Sequence, residues 1–196
     1  MKDVATFLAE VSESRRREQA VARAGFLAPP DLCLPRALEV ALDHRWLISP
    51  VRGCSDYALH SARVGVPCRD REQVKYWFAH YPEANWMLAT GEDSGVLALE
   101  VDPKLSRYAL DYLAGEDRSW QRTLRFAVHG RWQVLFAHAA GLRSLVGRYP
   151  GLRLHAGDSI YLPPLCTLDG IKIDYANPHA PLLPVPDWLH QAMRWK

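Results

Sequence analysis

The sequence predicts an α/β (α+β) fold: a mixed sheet flanked by helices, with an extra helix at the N-terminus. Three observations carry this. Helical and extended patterns alternate through the first half of the chain, and extended patterns dominate the second. The run Val96-Leu97-Ala98-Leu99 is continuously apolar, as in a strand covered on both faces. The chain has 196 residues, 48% of them apolar and seven of them Trp, enough for one large domain or two small lobes with a real core. The division expected is a helical extension over 1–33 and a main domain over 34–196.

Residues 3–24 read as a helix with a broken apolar stripe of Val4, Phe7, Leu8, Val11, Ala20, Val21 and Ala24, and with Gly25 as its stop. Arg15-Arg16-Arg17 lies between the two halves of the stripe, either as a solvated face or as a phosphate contact. Pro35 to His44 reads as a helix with Leu38, Ala41 and Leu42 inward. Trp46 to Val51 follows as a short strand. Residues 52–68 lack a period and read as a loop that carries Arg52, His60 and Arg63, an ordinary polar loop or one suited to phosphates. Asp70 is placed as an N-cap for a helix with Val74, Trp77 and Phe78 inward, ending before Tyr81-Pro82. Trp46, Trp77, Phe78 and Leu97 are the expected core.

Asn85 to Ala89 is predicted as a strand leading into a Gly-bounded turn, and Leu105 to Leu113 as a helix. Thr123 to Val128 and Gln133 to Ala137 are predicted as strands around a turn His129-Gly130-Arg131-Trp132. Leu152 to His155 and Ser159 to Leu162 are two more strands, the latter stopped by Pro163-Pro164. Pro186-Asp187-Trp188-Leu189 opens a last short helix.

The most informative stretch is Ala89 to Pro103. Its apolar run ends in Glu100-Val101-Asp102. Strand side chains repeat every two residues, so Glu100 and Asp102 face the same way, and Pro103 ends the strand. Two acids on one face at the end of a buried strand are costly unless a cation sits between them. A divalent metal carrying a phosphate suits that place. Taken alone, the pair is more simply a strand end that has reached solvent.

Composition excludes several classes. The net charge is only +2, so there is no global basic field and any nucleic-acid contact must be local. Cys33, Cys54, Cys68 and Cys166 form no C-x-x-C pair and are expected reduced and mostly buried, with neither a zinc site nor a disulfide framework. No signal-peptide pattern opens the sequence and no apolar run reaches the roughly 18 residues of a membrane span, so a cytoplasmic setting is expected.

Four segments resemble the N-terminal primase–polymerase (prim-pol) domain of bifunctional DNA primase/polymerases in plasmid, phage and prophage replication, a branch of the archaeo-eukaryotic primase superfamily. Ala37-Leu38-Glu39 to Trp46-Leu47-Ile48-Ser49-Pro50 is similar to that family's "A-L-x-Y-A-x-x-G-W-x-V-x-P". Arg71 to Asn85 is similar to "x-x-Q-I-x-x-W-W-x-x-Y-P-x-A-N", and Ala89 to Asp102 to "A-T-G-x-x-S-G-L-x-V-L-D-V-D". Tyr161-Leu162-Pro163-Pro164 is similar to "V-A-P-P-S". The resemblance runs from about Leu34 to Leu189 and implies a primase–polymerase-like sheet flanked by helices.

It also implies a nucleotidyltransferase with two divalent metals on D-x-D and a third carboxylate, and a histidine in a "G-G-x-H" turn on the incoming phosphates. The sequence departs from that pattern. The D-x-D is Glu100-x-Asp102, so the metal ligands implied are Glu100 and Asp102. The histidine is replaced by Gln133, the third catalytic position implied. No acid lies in Leu152 to Leu154, and Asp158, beside Gly157, reads as turn chemistry. The serine after the prolines is Leu165. Candidate nucleotide- or nucleic-acid-binding residues are Arg52, Arg63, His129, Arg131, Arg153 and His155.

The functional expectation is therefore a primase–polymerase-like protein of replication or mobile elements that binds nucleic acid or nucleotide with weak or lost transfer activity. The alternatives are an active metal-dependent primase/polymerase and a non-catalytic protein-interaction module. Weak Mg²⁺ or Mn²⁺ binding and no zinc are expected, with a helicase or other replication protein in trans and no membrane partner.

Overall fold

The computed structural model describes residues 32–51, 67–82, 84–166 and 172–193. The expected N-terminal helix and its Arg run, together with Arg52, His60 and Arg63, lie outside the described residues.

Helix α1 (Arg36–Asp43) starts after Pro35 and buries Ala37, Leu38, Val40, Ala41 and Leu42. Strand β1 (Ile48–Val51) follows, two residues later than expected, because the backbone N–H of Trp46 still donates to Ala41 O at 2.9 Å as the helix closes. Helix α2 (Arg71–His80) is capped as expected: Asp70 accepts from the backbone N–H of Glu72 at 2.8 Å and of Gln73 at 3.2 Å. Its inner residues are Val74 and Trp77; Phe78 is only partly buried and packs against the core from the side. Trp77 leans on Trp86 with ring centroids 6.4 Å apart.

Strands β2 (Asn85–Ala89) and β3 (Val96–Val101) flank the Gly-bounded turn, where Gly91 N–H closes onto Val96 O at 2.7 Å. Helix α3 (Arg107–Ala114) begins two residues later than expected. Asp102 accepts from the backbone N–H of Lys104 at 2.9 Å through its side chain and of Ser106 at 2.8 Å through its carbonyl, which makes a separate turn before the helix. Strands β4 (Arg125–Val128) and β5 (Arg131–Ala137) form a hairpin paired from Val128↔Arg131 inward.

The loop is therefore only His129-Gly130, both at positive φ (49° and 76°) as a two-residue primed turn requires. This corrects the four-residue turn expected from the sequence and moves Arg131 onto a strand. Strands β6 (Leu145–Tyr149), β7 (Leu152–His155) and β8 (Ser159–Leu162) follow; β6 was not legible in the sequence. Short strands β9 (Leu165–Cys166), β10 (Lys172–Ile173) and β11 (Leu183–Pro184) precede helix α4 (Asp187–Met193).

The larger sheet has the order β11-β5-β3-β7-β6, with β4 sharing the β11 edge of β5. The β11–β5 pair is parallel and the other pairs are antiparallel, so the sheet is mixed as expected. A smaller antiparallel sheet has the order β1-β2-β8. Strand β3 is central and its alternation divides two cores. Leu97, Leu99 and Val101 pack with Leu110 of α3 and Leu189 of α4, while Val96 and Ala98 pack with α1, α2 and the smaller sheet. Glu100 continues the second set, so its carboxylate emerges in the cleft between the two sheets.

Among the described residues no helix is long and apolar enough to cross a membrane. Cys33 is exposed and Cys68 half-buried, both as free thiols, which corrects the expectation of mostly buried cysteines for these two.

Candidate functional site

The acid end of β3 is built by register. Glu100 pairs with Gln133 of β5 on one side and Arg153 of β7 on the other. Directly opposed residues share a face, so all three look into the cleft, as do Arg131 and His155 two residues along their strands. Glu100, Gln133, Arg131 and His155, with Met87 of β2 and Ser159, Ile160 and Tyr161 of β8, line a cavity of about 400 Å³ that also takes in Val128 and His129.

Both Glu100 oxygens are occupied. Arg131 Nη1 donates to Oε1 at 2.8 Å and Gln133 Nε2 to Oε2 at 2.9 Å. Arg131 also reaches Asp102, with Nε 3.7 Å from Oδ2. Asp102 Oδ1 is held by its own turn, accepting from Lys104 N–H and, at 3.3 Å, Leu105 N–H. Glu100 and Asp102 thus share a face as expected, and the cation between them is the guanidinium of Arg131. The β3–β5 register, with Glu100 opposite Gln133 and Val101 opposite Trp132, is what brings Arg131 there.

His155 is buried behind the pair. Its Nδ1 lies 3.0 Å from Asp158 Oδ2 and its Nε2 lies 3.8 Å from Glu100 Oε2, an ion-pair separation rather than a hydrogen bond. Thr90 fixes Asp158 in turn, donating its hydroxyl to the Asp158 carbonyl at 2.9 Å. Asp158 is therefore the partner of His155 as well as a turn residue, which corrects the reading from sequence. The spacing His155-x-x-Asp158 across Gly157 was the available signal.

The charges are mutually tuned. The Glu100 carboxyl is held at about 2, by His155 first, with burial opposing and Gln133 and Arg131 adding. Burial lowers the His155 pKa, but Asp158 and Glu100 outweigh it and the net shift is upward, against a smaller push from Arg153. Burial raises the Asp158 pKa, and His155, Thr90 and Ser144 bring it below its usual value.

Of the other residues expected at the site, His129 is exposed in the hairpin turn and lines the cavity rim. Arg153 is exposed and forms no ion pair among the described residues. Of the candidate arginines, Arg52 and Arg63 lie outside the described residues and Arg131 is engaged by Glu100 and Asp102.

The residues as placed do not fit a pair of divalent ions. Every Glu100 oxygen already has a donor, a guanidinium bridges the two acids, and one Asp102 oxygen is spent on backbone N–H groups. Among the described residues, no three His, Cys, Asp or Glu side chains converge where one ion would bind them.

A larger hollow of about 650 Å³ lies at the opposite end of β3, lined by Thr90, Gly91 and Asp158 among others. None of its lining residues carries a buried side-chain polar atom without a partner. The chemistry therefore concentrates in the smaller cleft.

A comparison with curated proteins finds no match. The sequence profile of the N-terminal domain of bifunctional DNA primase/polymerases matches residues 37–188, which spans both sheets, the cleft and every described residue of the site. The chain belongs to the bifunctional DNA primase/polymerase N-terminal (Prim-Pol) family.

Proposed function

We propose that this primase–polymerase-like domain binds a nucleotide or a nucleic-acid strand in the cleft between its sheets, with nucleotidyl transfer weak or lost. The setting we propose is cytoplasmic, in replication or in a mobile element, with any helicase supplied by another protein. The observation that supports this is Arg131, which fills the place between Glu100 and Asp102. Transfer of a nucleotide rests on positioning and on neutralising charge at the transferred phosphate. A guanidinium held by two carboxylates neutralises the acids instead. Any Mg²⁺ or Mn²⁺ would have to displace it, so metal affinity is weak in this reading.

Two observations favour other readings. The Arg131 side chain is 52% exposed, and its departure would free both acids for an active, metal-dependent enzyme. Leu105, Tyr108 and Tyr112 are 59%, 86% and 84% exposed on or beside α3, which favours a protein-docking module.

Templated primer extension and oligonucleotide anisotropy separate the three. The proposal expects undetectable or very slow extension in Mg²⁺ or Mn²⁺. It also expects single-strand binding that falls with salt at a log–log slope of about −1 to −2, as for two phosphate contacts. Robust extension abolished by Asp102→Asn supports the active enzyme. No binding to any oligonucleotide supports the docking module.

A further inference from the structure

Two buried polar atoms on the large-sheet wall of the cleft have no hydrogen-bond partner: Gln133 Oε1 and His155 Nε2. Gln133 is 6% exposed and His155 4%, and both line the cavity of about 400 Å³. Buried polar atoms are nearly always paired, so these two mark where something else bonds.

Their polarity follows from their neighbours. A carboxylate only accepts, so the Gln133 group on Glu100 is the amide NH₂ and the group left over is the carbonyl acceptor. His155 has a carboxylate at each ring nitrogen, Asp158 at 3.0 Å and Glu100 at 3.8 Å. With a carboxylate facing each ring nitrogen, the geometry favours an N–H at both, which makes Nε2 a donor. Both groups sit against the same oxygen, Glu100 Oε2. The wall therefore presents an acceptor beside a donor.

A phosphate matches this badly. It offers acceptors, and here it would meet a carbonyl and a carboxylate. The wall's carboxylate, Glu100, is also already paired with the guanidinium of Arg131. The opposite wall and rim are largely apolar, with Met87, Val128, Ile160 and the ring of Tyr161. We infer, resting on the nucleotide-binding reading above, that the cleft takes the hydrogen-bonding edge of a nucleobase. A base N–H meets Gln133 Oε1, a neighbouring carbonyl or ring nitrogen meets His155 Nε2–H, and the phosphates stay outside.

The test titrates the wild-type protein, without divalent metal, with uridine, with uridine triphosphate and with inorganic tripolyphosphate. Calorimetry gives the affinities, and ¹⁵N NMR follows the Gln133 side-chain amide and the His155 ring. The expected result is binding of uridine and its triphosphate within about threefold of each other, with no binding of tripolyphosphate and with both side-chain signals shifted. Gln133→Met, which removes the acceptor at similar size, should weaken uridine by about tenfold if its amide spectrum shows it folded.

Triphosphate binding roughly a hundredfold tighter than uridine would overturn the inference. So would tripolyphosphate binding, or uridine binding that leaves both side-chain signals unmoved. Uridine that fails to bind while a single-stranded oligonucleotide binds defeats this inference alone. Failure of both defeats the nucleotide-binding reading beneath it.

Discussion

Arg131 donates to Glu100 at 2.8 Å from the neighbouring strand of the same sheet, and the same guanidinium lies 3.7 Å from Asp102. The β3–β5 pairing, Glu100 opposite Gln133 and Val101 opposite Trp132, sets that placement. The ion pair is half exposed on the arginine side and mostly buried on the glutamate side. Its removal should therefore cost more than a surface pair alone. In metal-free buffer, Arg131→Ala should lose about 1 kcal/mol by urea titration, because Glu100 and Asp102 are left facing each other. An unchanged or increased stability would mean that the pair is spectator chemistry.

The acid–histidine cluster predicts a stability profile against pH. The Glu100 pKa is depressed from 4.5 to about 2, so its contribution is complete above pH 4.5 and is lost as pH falls towards 2. The His155 pKa is raised above 6.5, so its contribution is complete below pH 6.5 and is lost as pH rises through the raised value. Asp158 and Glu100 face the ring with negative charge and Arg153 with positive. The melting temperature should therefore plateau between those limits and fall on both sides. Asp158→Asn should lower the His155 pKa, read by NMR of the ring protons. A wild-type His155 that titrates below 6.5 would contradict the arrangement.

Gly151 ties the acid end to the β6–β7 turn. It sits at φ +71°, its carbonyl accepts from Asp102 N–H at 2.8 Å, and an added Cβ would lie 2.6 Å from the Ser106 backbone nitrogen. Gly151→Ala should cost about 3 kcal/mol, combining left-handed strain with a backbone clash. Gly130→Ala, at φ +76° with open space around it, should cost about 1 kcal/mol. Equal losses in denaturant titrations would show that the turn does not press on the acid end.

Much of this fold was legible because period and punctuation agree locally. Asp70 caps α2, Trp77 faces inward, and Val96 to Leu99 is buried on both faces as its unbroken apolar run requires. Phe78 misled because it stands one position beyond Trp77 on a helix whose inner stripe is narrow. Strand β6 was invisible because Val146, Gly147 and Arg148 are all exposed and a bulge interrupts its pairing, so no alternation survives.

At the site, the same-face placement of Glu100 and Asp102 followed from strand period alone. What lay between them did not, because it depends on the register of β3 against β5, a pairing between strands far apart in the sequence. His155 and Asp158 were each visible as residues. Their pairing across Gly157 was not, since it needs the turn geometry.

The most direct measurement is a Mn²⁺ titration followed by the electron paramagnetic resonance of the free ion, run on wild type and Arg131→Ala. Wild-type protein should leave the free-ion signal unchanged below millimolar Mn²⁺. Arg131→Ala should depress the signal, because the two acids then need a cation. Micromolar Mn²⁺ binding by the wild type, unaffected by Arg131→Ala and lost in Asp102→Asn, would contradict it.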